Sequence, residues 1–399
     1  MSEIAVGKEA MSDPSKRLAM TPPPIGLYVH VPWCVKKCPY CDFNSHVARE
    51  PVDQQRFIRA LIADLRNELA GGAIAPVDSV FIGGGTPSLL AGAAVSELLD
   101  GVARLLPLTD ACEITLEANP GTVDAANFHD YRLAGVNRLS IGVQSLDPAR
   151  LQALGRIHTP DDALAALQLA RRAGFDNVNL DLMYGLPGQS LAGVLADLRQ
   201  AVDLAPEHVS WYQLTLEPNT AFYRTPPPLP DDERVADMSD AGLALLEAAG
   251  YARYEISAFA RPERRCRHNL NYWQFGDYLG IGPGAHGKRS YPSGAIVRRS
   301  KRRGPTDYLA SAATGGVSRQ WSLDPDDRVI EFFLNALRLV DGVPAEWFVA
   351  RTGLPLEQVE NAITHAVELD LLVDDTARIR PTGRGLRYLN DLLGLFAPA

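Results

Sequence analysis

Cysteine is scarce in this chain, five among 399 residues. So few, and an odd number, in a chain this long exclude a small fold stapled by disulfides and predict a reducing, cytoplasmic location. Long apolar runs are also missing, and none approaches the ~18 residues that a membrane-spanning helix needs. The opening segment MSEIAVGKEAMSDPSKRLAMTPPP lacks the uninterrupted apolar core of a secretory signal, and residues 1–24 read as a mobile tail. Positive charge is in deficit: 39 Lys and Arg face 48 Asp and Glu, a net charge of −9. That balance argues against nucleic-acid binding, while leaving local basic patches and transient membrane contact open. What is present is a globular composition, 46% hydrophobic and 22% charged, long enough for two to three domains and a large core.

Between residues 26 and 258, short apolar runs alternate with segments of helical spacing. GLYVHV (26–31), DSVFIG (78–83), EITLEA (113–118), RLSIGV (138–143), NVNLDLMYG (177–185) and HVSWYQLTL (208–216) predict buried strands. Helices are predicted over 53–69, 91–105, 125–133, 161–173 and 192–205, with capping residues at Asp124 and Thr159. Repeated βα units mean a parallel sheet, and six in a row fit an α/β fold of partial (β/α)6 barrel type over residues 25–260. Polar and glycine residues close nearly every strand: Gly83-Gly-Gly-Thr-Pro, Glu117-Ala-Asn-Pro, Gln144-Ser, Asp181 with Tyr184-Gly-Leu-Pro, and Glu217-Pro-Asn. In parallel α/β folds that edge carries the ligands.

Past Tyr251 the pattern changes. Residues 261–310 read as a glycine- and aromatic-rich irregular stretch with connecting loops, among them the basic loop RRSKRRG (298–304). Such charge runs are ordinarily solvated. Residues 311–399 alternate helical stretches with short β-like pieces around 372–379, which predicts a small, mainly helical, winged-helix-like domain.

Three of the five cysteines crowd into HVPWCVKKCPYC, as Cys34-x3-Cys38-x2-Cys41. A structural zinc usually wants four ligands, and Cys112 and Cys266 are far along the chain. Three thiolates suit a cubane iron–sulfur cluster whose fourth iron stays open to a small-molecule ligand. Lys36 and Lys37 either offset the negative charge of such a cluster or are exposed loop lysines. A zinc-binding interaction module stands as a separate class of function.

The cysteine loop resembles the signature of the radical S-adenosylmethionine superfamily. Tyr28-Val-His-Val-Pro, Gly83-Gly-Gly-Thr-Pro, Glu117-Ala-Asn-Pro, Gly142-Val-Gln-Ser, Leu154-Gly-Arg-Ile-His and Asp181-Leu-Met-Tyr-Gly-Leu-Pro-Gly all resemble one branch of it. That branch holds the oxygen-independent coproporphyrinogen III oxidases and a heme-chaperone relative. The resemblance runs from about residue 26 to the end of the chain. It implies that Cys34, Cys38 and Cys41 hold a 4Fe–4S cluster. It implies too that S-adenosylmethionine chelates the open iron through its amino and carboxylate groups, where reduction cleaves the sulfonium to a radical. The residues implied to contact S-adenosylmethionine are Tyr28, Tyr40, Gly84, Gly85, Thr86, Glu117, Gln144, Arg156 and Asp181. Their types suit the ligand: glycine lets backbone approach closely, arginine forks onto a carboxylate, and a carboxylate accepts from an ammonium or a ribose hydroxyl.

Two features separate the branches. The oxidases resemble a CxxxCxxCxC pattern, whereas Phe43 stands here in place of the further cysteine. His268-Asn269-Leu-Asn-Tyr272-Trp273 matches an HNxxYW motif of the chaperone branch. Neutral imidazole is a good heme-iron ligand, and Tyr272 and Trp273 offer flat surface to a macrocycle. Arg261, Arg264, Arg265 and Arg267 suit heme propionates, and Cys266 is a further candidate iron ligand. Read without the resemblance, the same motif is a set of packing residues sealing the lower end of the barrel. The expectation is a heme chaperone, more a carrier than an enzyme, that passes heme to acceptor heme proteins. The alternative is the oxidase that decarboxylates two propionates of coproporphyrinogen III to give protoporphyrinogen IX.

Overall fold

The computed structural model describes residues 23–72, 74–122 and 125–397. The predicted tail, save its last two residues, and the predicted cap Asp124 lie outside the described residues. A 12-stranded sheet forms the centre of the molecule. Six of its strands follow one another in chain order, each parallel to the last. They are β1 (Ile25–Val31), β2 (Val77–Gly84), β3 (Leu108–Ala118), β4 (Arg138–Gln144), β5 (Val178–Tyr184) and β6 (His208–Gln213). The crossovers carry α1 (Gln54–Leu69), α2 (Gly92–Leu105), α3 (Ala125–Leu133), α4 (Pro160–Arg172) and α5 (Leu191–Asp203). Strands covered on both faces read as near-continuous apolar runs, which is why these segments are visible in the sequence. Leu27, Val29 and Val31 of β1 are fully buried, and α1 packs Phe57, Leu61 and Leu65 onto the same core. Local chemistry sets the helix starts. Thr159 accepts from the Asp162 N–H while the Asp162 carboxylate accepts from the Thr159 N–H, and Pro160 occupies the first turn.

After β6 and α6 (Asp232–Ala248), two short antiparallel strands, β7 (Ala252–Glu255) and β8 (Ala258–Ala260), close one edge of the sheet. The other edge differs from the sequence expectation. Residues 261–310 are not irregular. They form α7 (Arg267–Trp273), then β9 (Asp277–Ile281) parallel to β1, then the antiparallel β10 (His286–Ser290) and β11 (Ile296–Lys301), joined by β12 (Val317–Ser322). The parallel part of the sheet therefore gains a seventh strand.

The basic run 298–303 is accordingly a strand for most of its length, not a solvated loop. Lys301 is 1% exposed, and its ammonium lies 2.5 Å from both Asp64 Oδ1 and Glu68 Oε1 of α1. Arg299 reaches Glu68 Oε2 at 2.9 Å, and Arg298 pairs with Glu331 at 3.0 Å. Burying these cations requires partners, and the partners lie more than two hundred positions away for Lys301 and Arg299. Periodicity has no access to such pairing.

β12 also moves the start of the helical unit. Residues 317–322 pair with β11, and the second hydrophobic core takes in Phe275 and Ile296 as well as Leu323 and the helices after it. In it, α8 (Pro325–Ala336) buries Val329, Phe332 and Phe333 against Phe348, Leu392 and Phe396. A two-stranded ribbon, Val343–Pro344 with Arg378–Ile379, completes it. No helix of the described residues is long and apolar enough to cross a membrane.

Candidate functional site

The carboxyl ends of the parallel strands meet in one layer. Register pairs His30 with Gly83, Glu117 with Ser140, Gly142 with Asp181, and Asp181 with Ser210. A cavity of about 480 Å³ opens there, within the usual size of a small-molecule site. Cys34, Cys38, Cys41, Tyr40 and Phe43 line it from the cysteine loop. Gly84, Gly85, Thr86, Glu117, Gln144 and Asp181 line it from the strand ends, and Arg156 from the turn after the short helix Pro148–Ala153. The fold thus brings together eleven of the twelve cluster and S-adenosylmethionine candidates; Tyr28 lines a neighbouring cavity instead.

The cysteine loop is held from several sides. Trp33–Cys34 pairs with His46–Val47, and Asn44 Nδ2 donates to Pro283 O and Arg303 O, both at 2.9 Å. Lys37 Nζ donates to Phe43 O at 3.1 Å and Ser45 O at 3.4 Å, so it braces the loop as well as lowering the pKa of Cys34 and Cys41. Burial works the other way and pushes both thiols up, helped by the neighbouring Cys38. All three are free cysteines. Coordination to a cluster would fix them as thiolates.

Two side chains in the cavity have capacity that the protein leaves unmet. Among the described residues, the Glu117 carboxylate accepts the Gly84 N–H at 3.0 Å, while burial and Asp181 push its pKa up to about 8. An ammonium group beside it would favour the ionised form. Arg156 donates to Gly142 O at 2.8 Å and to Cys38 Sγ at 3.7 Å, and its Nε is buried without a partner among the described residues. A cationic fork next to Cys38 fits a carboxylate. The donor set therefore fits a soft cluster plus an amino-acid zwitterion. Asp181 is oriented by Ser140 Oγ and Asn179 Nδ2, both at 2.9 Å, and burial raises its pKa. Gln144 sits at φ 69°, a left-handed backbone that a non-glycine residue holds only when its surroundings enforce it. Its side-chain oxygen accepts from Tyr212 at 3.0 Å.

The glycine run serves the fold as much as any ligand. Gly84 has φ +114°, and a Cβ there would lie 2.6 Å from the His30 ring. A Cβ on Gly85 would lie 2.6 Å from Trp33 O. Ser140, Ser210 and Tyr212 also line the cavity and escaped the sequence reading. Their signal was present: polar side chains within otherwise apolar strands.

The HNxxYW segment lies elsewhere. His268 is 1% exposed, bonded through Nδ1 to Ser79 Oγ at 3.0 Å and through Nε2 to Tyr272 OH at 2.9 Å. Burial, with Arg138 nearby, pushes its pKa down to about 3. Both nitrogens are occupied, so in this arrangement His268 has none for iron. Asn269 is half-buried at the start of α7, and Trp273 stacks under the Arg338 guanidinium at 4.1 Å, beside a cleft of about 140 Å³ that is too small for a macrocycle. The upstream arginines are engaged: Arg264 with Asp176, Arg265 with Asp341, Arg267 with Ala111 O, and Arg261 over Tyr251. Cys266 is fully buried against Glu113, and burial raises its pKa to about 12. The packing reading describes these residues better than ligation does.

Comparison with known proteins places this geometry. Residues 28–201 match the radical SAM superfamily, and residues 323–388 match the HemN C-terminal domain. The chain is 49% identical to the heme chaperone HemW of Escherichia coli (strain K12), across 94% of this chain and 98% of that protein. It is 34% identical to the heme chaperone HemW of Bacillus subtilis (strain 168), across 92% and 98%. The solved coproporphyrinogen III oxidase HemN from Escherichia coli superposes with a TM-score of 0.80 at 22% identity, covering 96% of this chain and 92% of that one; at this identity the likeness is one of fold. Alike to these chaperones over nearly its whole length, this chain belongs to the HemW family of the radical SAM superfamily.

Proposed function

We propose that this protein is a heme chaperone, a carrier that binds heme and passes it to acceptor heme proteins. The observation that carries this reading is the near full-length identity of 49% to a protein named for that role. Phe43 supports it: the position that holds a further cysteine in the oxidase pattern is here a ring 58% exposed at the cavity rim. Cys34, Cys38 and Cys41 would each take one iron of a 4Fe–4S cluster. Glu117 and Arg156 would take the ammonium and carboxylate of an exchangeable S-adenosylmethionine. Thr86, Gln144 and Asp181 would meet its other polar edges, and Tyr40 would supply aromatic surface. When bound, this pair supplies one-electron reductive chemistry. Arg156 orients the carboxylate, and Glu117 holds its proton or releases it according to whether the ammonium is present.

The test is an anaerobic assay of cluster-loaded protein with reductant, S-adenosylmethionine and coproporphyrinogen III, beside a working oxidase. The expected result is no protoporphyrinogen, together with heme uptake and its transfer to an apo-heme protein. Stoichiometric protoporphyrinogen would make the protein an oxidase despite Phe43.

A further inference from the structure

A second cavity of about 490 Å³ adjoins the first, and Asp42, Phe43, Gly84 and Glu117 line both. One wall is aromatic, formed by Tyr272 and Tyr278, whose rings meet edge-on at 4.5 Å. Two histidines line the cavity, and they differ in what is left to them. His30 donates from Nε2 to Asn44 O and accepts at Nδ1 from Tyr28 OH, both at 2.9 Å. His286 is exposed, and its ring makes no hydrogen bond among the described residues. Both ring nitrogens are therefore open to a ligand, and a neutral imidazole offers a lone pair to a metal.

The residue is presented rigidly. The turn before β10 uses Gly282 at φ +103° and Gly284 at φ +78°. A Cβ on Gly282 would come 2.4 Å from His30 O, and one on Gly284 would come 2.4 Å from Asn44 Nδ2. The Gly282 N–H is held by Asp64 Oδ2 at 3.2 Å and Tyr308 OH at 3.1 Å. His286 thus projects from a locked strand start, the kind of support a ligand needs. Arg303, also on the cavity wall, reaches Asn44 Oδ1 at 3.4 Å and forms no ion pair among the described residues.

We infer that this second cavity takes the iron porphyrin and that His286 is the protein's ligand to its iron, with Arg303 meeting a propionate. The inference rests on the heme-chaperone reading and gives it a place in the fold. It also accounts for the HNxxYW motif, because Tyr272 forms the wall and buried His268 is a positioning residue that holds the Tyr272 hydroxyl.

The test is titration of the full chain with ferric heme, followed by absorption and electron paramagnetic resonance. The chains compared are wild type, His286→Ala, His268→Gln and Arg303→Ala, and circular dichroism checks that each is folded. His286→Ala is expected to bind heme about ten-fold or more weakly and to lose the histidine-ligand signature, which added imidazole restores. Iron-free protoporphyrin IX should bind wild type and His286→Ala equally, because iron ligation is what the variant removes. Arg303→Ala should weaken binding about three-fold with the signature intact. His268→Gln should keep the histidine-ligand signature while weakening binding through the Tyr272 wall it no longer holds. If His286→Ala matches wild type in affinity and spectrum, or if the signature is lost only in His268→Gln, the assignment is overturned while the chaperone reading stands. A wild type that takes up no heme overturns the chaperone reading and this inference with it.

Discussion

The cysteine loop and the stretch from 261 to 303 are both crowded with reactive side chains, yet apart from His286 and Arg303 the second uses them in the opposite way. Beside the loop, Glu117 and Arg156 keep unmet hydrogen-bonding capacity that faces a cavity. In the later stretch, Arg261, His268, Lys288, Arg298 and Lys301 are engaged by internal partners. Residue type alone therefore does not mark a site. What marks it is capacity the fold leaves open, and by that measure His286, not His268, is the histidine of interest.

The comparison can be broken most severely at the loop. Cys38→Ala is expected to lose nearly all labile iron and sulfide after anaerobic reconstitution; unchanged iron and sulfide content would remove the ligand assignment. The next largest effect is expected in the other region. Lys301→Met leaves Asp64 buried without its cation and Glu68 with Arg299 alone, and should cost about 3–5 kcal/mol in denaturant unfolding. A loss below about 1 kcal/mol would place the pair in the ordinary surface class.

A third measurement sharpens the contrast through pH. The Glu117 carboxyl is raised from 4.5 to about 8, so the folded chain holds its proton across that window while the unfolded chain releases it. Its contribution to stability is complete below pH 4.5 and disappears as pH rises through 8. Glu117→Gln cannot ionise. In cluster-free protein it should gain on wild type as pH rises across the window and show no such gain at lower pH. Parallel stability curves would mean that Glu117 is not held neutral. The smallest effect is expected at Tyr272→Phe, which removes the His268 bond at 2.9 Å and should cost about 1 kcal/mol in thermal unfolding. A much larger loss would show that His268 does more than position Tyr272.

Much of the fold was legible. Each predicted strand of the parallel core overlaps an observed one, because a strand buried on both faces must be apolar along its length. The grouping of Cys34, Cys38 and Cys41 was legible because all three sit on one short loop, and the fold brings them to one cavity. The edge formed by β9 to β12 was not, because its strands are short and carry buried charges such as Lys288 and Lys301 in place of an alternating apolar pattern. His286 escaped as well, since nothing beside it in sequence distinguishes it from seven other histidines.

The sequence by itself determined the βα rhythm, the three-thiolate spacing and the family. Each is a local or collinear property, set by side-chain periodicity and by residues a few positions apart. Only the tertiary structure decided that the basic run is an interior strand, that both ring nitrogens of His268 have internal partners, and that His286 and Arg303 face a second cavity beside the first. Those outcomes depend on partners far away in the chain, and the free energy of burying a charge or leaving a nitrogen open is settled only when such partners meet.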